Sequence, residues 1–125
     1  MDFCTVINCM DGRVQLPVNK YLQKQFNVAY VDSITEAGPV RIISDEWGSD
    51  TAQSMVKKVE LSIGVHQSVG IAIVCHHDCA GNPIPLTSQL VQLKSSIRFF
   101  KSQFNHIEII GLSVDENWQV HEITS

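Results

Sequence analysis

Ile71-Ala72-Ile73-Val74-Cys75-His76-His77-Asp78-Cys79 is the stretch on which the reading of this chain turns. Its first five residues are apolar without alternation, as in a strand buried on both faces at the centre of a parallel sheet. Upstream, Asp50 with Gln53 resembles a helix-start box, and Ala52, Met55, Val56, Val59 and Ile63 follow at i, i+3, i+4, i+7 and i+11. That helix is expected to close at Gly64. Downstream of Pro83 and Pro85, an apolar stripe of Leu86, Leu90, Leu93, Ile97, Phe100 and Phe104 predicts another helix. Ile107–Leu112 reads as a further buried strand. Asp115-Glu116-Asn117 reads as a hairpin turn into an antiparallel edge strand over 119–123.

The first third follows the same alternation. Phe3–Asn8 is β-prone and ends at the turn-forming Asp11-Gly12; a short helix is expected from Pro17 through Tyr21, Leu22 and Phe26. Val28–Val31 reads as a second strand. Residues 32–48 read mostly as loop, with a short strand around Val40–Ile43, and Asp32 and Glu36 as solvated loop charges. The expectation is a small α/β domain over residues 1–125. It has a mostly parallel sheet of four strands, an antiparallel edge strand and flanking helices. Such sheets place their chemistry beyond the strand C-termini, where the winding direction reverses.

Composition narrows the function classes. The 125 residues are 44% hydrophobic and 18% charged, enough apolar content for a core and a poor fit to disorder. Nine basic against 13 acidic residues, without a Lys/Arg cluster, argue against nucleic acid or an anionic membrane as partner. No apolar run reaches the ~18 residues of a membrane span, and no secretory signal pattern is visible, so a cytoplasmic protein is expected. In that setting, four cysteines favour metal ligation or thiol chemistry over a disulfide scaffold.

Two motifs sit where a parallel sheet puts its chemistry: Cys9-Met10-Asp11-Gly12-Arg13 and His76-His77-Asp78-Cys79. An i, i+3 His/Cys pair in a tight turn can aim both side chains at one point, and Cys9 at the end of a neighbouring strand can close a third corner. Two thiolates and an imidazole suit zinc, and three protein ligands leave its fourth position open, as in catalytic sites. A carboxylate at Asp11 can ligate the metal, orient its water or accept a proton. Arg13 can hold that carboxylate away in a bidentate pair.

The two motifs together resemble those of the beta-class carbonic anhydrases. Cys9–Val14 with Pro17 is similar to that family's first motif, and Ala37-Gly38 to the end of its R-N-A-G loop. Ser62–Val65 leading to Ile71–Cys79 is similar to its L-G-V helix end, strand and H-x-x-C turn, and Ile110-Gly111 through Val120 to its closing strands. The resemblance implies Zn2+ held by Cys9, His76 and Cys79, with Asp11 either a fourth ligand or paired to Arg13. It implies hydration of carbon dioxide to bicarbonate, Asp11 and Arg13 acting in catalysis, and a homodimer. The chain departs from the family's pattern: it reads as short and without the N-terminal helical arm, Thr35-Glu36 stands for Arg-Asn, Gly12 for a serine and Ala80 for a glycine, and the connection from Cys79 to the last strand is compressed to essentially one helix.

Other readings stand beside this one. A zinc-containing binding or regulatory domain, or a hydrolase of a related small molecule such as carbonyl sulfide, would use the same metal site. Cys9 and Cys79 can also be plain buried cysteines, the reading preferred for Cys4 and Cys75 within strands. His77 and Asp78 read equally as turn residues or as supports for the ligands, and His66, His106 and His121 as surface or structural residues. A metal-free thiol redox role lacks its usual C-x-x-C pair.

Overall fold

A computed structural model describes residues 2–123. Among the described residues, nine helices and strands follow one another: β1 (Phe3–Cys9), α1 (Gln15–Gln25), β2 (Tyr30–Glu36), α2 (Pro39–Asp45), α3 (Asp50–His66), β3 (Gly70–His76), α4 (Leu86–Gln103), β4 (Glu108–Val114) and β5 (Val120–Ile123). They form one five-stranded sheet of order β2-β1-β3-β4-β5. The first four strands are mutually parallel and β5 is antiparallel to β4.

Every residue of β3 is buried, as its unbroken apolar run requires. Ile71, Ile73 and Cys75 face a core shared with α2, α3 and α4 through Val40, Met55, Val59, Leu93, Ile97 and Phe100. Ala72 and Val74 face the opposite core, filled by α1 through Val18 and Leu22. The chain winds from β1 outward to β2, then returns to β3 on the other side of β1. The reversal therefore falls between β1 and β3, and their C-terminal ends define the crevice.

Several local expectations are corrected. Residues 39–45 form helix α2, not a loop with a strand at 40–43. Pro39 supplies a preset first helical residue behind Gly38, whose φ of 65° makes the sharp entry. Strand β2 runs through Glu36, so Asp32 and Glu36 are strand residues. Asp32 Oδ2 accepts hydrogen bonds from Ser62 Oγ at 2.7 Å and His66 Nδ1 at 2.6 Å, tying β2 to α3. Helix α1 starts at Gln15, before Pro17, and follows a 3-10 turn over Gly12–Val14. Helix α3 is capped by Ser49, whose hydroxyl accepts the Ala52 N–H, and not by Asp50. It continues through Gly64 to His66, because Gln67 takes the left-handed conformation that ends it. The hairpin after β4 is as expected: Asp115 Oδ1 accepts the amides of Asn117 and Gln119, and Trp118 has a φ of 60°.

Candidate metal centre

Cys9 ends β1 and His76 ends β3, one strand away. Cys79 follows in a loop that doubles back at Asp78, whose φ of 56° is a left-handed conformation that Asp tolerates better than most residues. Strand register and this turn bring the three expected ligands together. The Cys9 and Cys79 sulfurs are 3.8 Å apart, and the three donor atoms lie within 4.8 Å of one another. Two Zn–S bonds of ~2.3 Å at the tetrahedral angle would separate the sulfurs by about 3.8 Å.

The imidazole completes the test of fit. His76 Nδ1 lies 2.7 Å from the His77 carbonyl, which can only accept, so Nδ1 carries the proton and Nε2 offers a lone pair. Nε2 is buried and has no hydrogen-bond partner among the described residues. A buried acceptor without a donor is costly. Two close sulfurs and a free lone pair facing one point form a donor set that suits a borderline-soft cation such as zinc.

Electrostatics separates the four cysteines, all of them free. Burial raises the Cys9 thiol, but His76 and the amides of Gly38 and Asp11 outweigh it and bring it to about 7. Burial and then the neighbouring Cys9 push Cys79 up to about 11. Cys4 and Cys75 rise to about 12, chiefly by burial. Those two are core thiols, as their positions within strands implied.

Asp11 stands at the rim of the cluster. Arg13 grips its carboxylate through Nε at 3.1 Å from Oδ1 and Nη2 at 2.7 Å from Oδ2. The Arg13 amide also donates to Oδ1, so the same carboxylate caps the 3-10 turn. Arg13 thus holds the Asp11 carboxyl down at about 2. Asp11 Oδ2 is 4.0 Å from His76 Nε2. Of the two arrangements left open by the sequence, the structure has Asp11 paired with Arg13.

Asp78, which the sequence left open between turn residue and support, helps to hold Arg13, whereas the contributions of Trp118 and Gln15 were not foreseen. Asp78 accepts from the guanidinium through Oδ2 at 3.2 Å and its carbonyl at 3.1 Å. Trp118, from the β4–β5 turn, lies against its face at 4.5 Å. Gln15 Nε2 donates to the carbonyls of Cys9 and Asp11, both at 2.8 Å. Nothing in the local sequence around Trp118 or Gln15 signals these roles, which arise from contacts across the fold. His66 and His121 pair with Asp32 and Asp115, outside the cluster.

A pocket of about 180 Å³ lies beside Cys9 and Asp11, walled by Met10, Ala37, Ala80 and Gly81. Ala37 and Gly81, two of its walls, belong to loops whose backbones pack directly against each other. A Cβ on Gly38 would lie 2.7 Å from the Gly81 carbonyl oxygen, and one on Gly81 would lie 2.5 Å from the Ala37 carbonyl carbon.

A family model described as "Putative carbonic anhydrase" matches residues 1–124. A search of curated protein sequences finds no match. Among solved structures, the chain is similar to a tetrameric beta-carbonic anhydrase from the filamentous ascomycete Sordaria macrospora. That match has a TM-score of 0.67 at 12% identity, covering 99% of this chain and 81% of the other. It is also similar to a carbonic anhydrase from Glaciozyma antarctica, with a TM-score of 0.63 at 15% identity over 96% and 81% of the two chains. A beta-carbonic anhydrase of Aspergillus fumigatus gives a TM-score of 0.64 at 11% identity over 98% and 74%. At these identities the likeness establishes the fold, a beta-carbonic-anhydrase-like sheet.

Proposed function

This chain belongs to the carbonic anhydrase family, and from that membership we propose that it catalyses the reversible, zinc-dependent hydration of carbon dioxide to bicarbonate and a proton. The observation that carries the reading is the unpartnered His76 Nε2 facing the Cys9 and Cys79 sulfurs, with an arginine-held carboxylate at the rim. Cys9, His76 and Cys79 would hold the ion. Bound there, zinc supplies a water acidified toward a pKa of ~7 and hence a nucleophile at neutral pH.

The protein's own groups do the rest. Asp11 is ionised at neutral pH and accepts the hydrogen bond of the attacking water, aiming a lone pair toward the pocket. By pairing with Asp11, Arg13 would hold that carboxylate away from a bound ion and leave room there for water. The pocket of about 180 Å³ is well below the ~300–1,000 Å³ of drug-sized sites and suits a molecule of a few atoms. Met10, Ala37 and Ala80 give it apolar walls matched to an uncharged linear substrate. Carbonyl sulfide has the same shape, and sulfide release on its addition distinguishes that activity from hydration of carbon dioxide. Four free cysteines support a reducing, cytoplasmic setting, and among the described residues no helix is long and apolar enough to cross a membrane.

Substitutions separate the metal from the chemistry. Cys9→Ser and Cys79→Ser should each lose zinc, because a hydroxyl is a far poorer ligand than a thiolate. Arg13→Ala removes no ligand but frees Asp11 to swing onto the metal. Its expected signature is near-normal zinc content with hydration slowed at least about tenfold at neutral pH, measured by stopped flow. Full turnover in Arg13→Ala would overturn the role given to the pair. A zinc-loaded wild-type protein without turnover would leave a zinc-binding domain of the same fold.

A further inference from the structure

We propose that Gln89 is a positioning residue for His76, an inference that rests on reading Cys9, His76 and Cys79 as metal ligands. Strands β1 and β3 are paired only from Thr5–Ile71 to Ile7–Ile73. Beyond that, β1 stays with β2 as far as Cys9–Glu36, and β3 stays with β4 as far as His76–Val114. The two strands splay, and the splay opens the crevice that holds the donor cluster. It also removes the strand partner from the β1-facing backbone of His76. The next amide, His77 N–H, points the other way and donates to Val114.

Gln89 takes the missing partner's place. Its Nε2 donates to the His76 carbonyl at 2.8 Å, and its Oε1 accepts the His76 N–H at 3.3 Å. One carboxamide thus offers a donor and an acceptor to one residue, as a neighbouring strand would. Gln89 is 1% exposed, in the first turn of α4, and that helix is anchored by the fully buried Leu93 and Phe100. Its Nε2 also lies 3.4 Å from the Ile84 carbonyl, linking the loop that follows Cys79. The carboxamide therefore transmits the rigidity of α4 to the backbone of the one imidazole in the cluster. A ligand shifted by a fraction of a bond length no longer meets two sulfurs that are already at tetrahedral spacing. Gln89 and Ser96 are the two polar residues buried on the largely apolar inner face of α4, which is the trace Gln89 leaves in the sequence.

Gln89→Met keeps volume and length while removing both hydrogen bonds. Ser96→Ala is the control. Ser96 is another fully buried polar residue of α4, and its hydroxyl donates to the carbonyls of Gln92 and Val40, away from the cluster. Zinc affinity is measured on the intact chain by competition with a chromophoric chelator, and ligand geometry from the visible bands of the cobalt-loaded protein. We expect Gln89→Met to raise the zinc Kd about 10- to 100-fold, the range for residues that orient metal ligands, and to alter the cobalt bands. Ser96→Ala should lower thermal stability while leaving Kd and spectrum unchanged. If Gln89→Met fails to fold, Gln89→Glu carries the same test: it retains an acceptor for the His76 amide but sets an oxygen against the His76 carbonyl. A Kd and spectrum in the folded Gln89 variant equal to wild type, or equal to those of Ser96→Ala, overturn the inference. A wild-type protein that takes up no zinc overturns the ligand reading itself, a result distinct from either.

Discussion

Asp11 shows how one short side chain serves three local ends. It caps the 3-10 turn, neutralises Arg13 and stands 4.0 Å from the His76 nitrogen that faces the cluster. The spacing C-x-D-x-R made this legible, because a carboxylate and a guanidinium two residues apart can meet once a turn follows the strand. Asp32 was less legible. Its partners, Ser62 and His66, lie more than 29 residues away, and no local pattern distinguishes a strand carboxylate bonded across the fold from a loop charge. Asp11 also gives the protein an acid signature. Its folded-state pKa of about 2 lies below its ordinary value of 3.8. The stabilisation is therefore fully present above about 4 and disappears as pH falls through about 2. Thermal denaturation of metal-free protein between pH 5 and 2 should show a steeper loss for wild type than for Asp11→Asn. Parallel curves would mean that the ion pair contributes nothing measurable in solution.

At the level of elements, the loops after β2 and β3 hold each other by contact of bare backbone. Gly38 combines a left-handed φ of 65° with a missing Cβ that would sit 2.7 Å from Gly81. Gly38→Ala should therefore destabilise by about 2 kcal/mol or more in urea denaturation. Gly64 lies inside α3 with open space around it, so Gly64→Ala should instead stabilise by about 0.5–1 kcal/mol. Equal effects of the two changes would contradict the packing described. The contrast also explains what the sequence concealed. Strand β3 was readable because its burial on both faces leaves no polar residue before His76 to confuse the pattern. Helix α2 was not, because Val40, Ile42 and Ile43 are β-branched and favour a strand locally. Packing against α4 decides the matter, with Ser96 Oγ donating to the Val40 carbonyl. Strand β2 was cut short for the opposite reason. It lies at the sheet edge with Ser33 and Thr35 exposed and Asp32 and Glu36 half-buried, so its second half has a loop-like composition.

For the whole molecule, the sheet order places Cys9 and His76 on adjacent strands, and that adjacency followed from the motifs' positions after two buried strands. The supports from Trp118 and Gln89 did not follow, since each depends on how a distant element packs onto the crevice. The surface carries one further consequence. Strand β2 is an edge strand, and its first residue, Tyr30, is exposed, as are Leu61 and Val65 on α3. We propose that these helix and edge-strand faces join two copies of the chain; sedimentation at micromolar concentration should give a dimer or larger assembly, and a clean monomer would contradict it. The central proposal is a metal-dependent hydration of carbon dioxide at the Cys9–His76–Cys79 cluster. It is tested most directly by zinc analysis and stopped-flow carbon dioxide hydration on a single preparation, before and after chelation. About one zinc per chain, with turnover that vanishes on stripping and returns on reloading, is the result expected. Zinc at that stoichiometry without hydration, or hydration that survives removal of the metal, would contradict it.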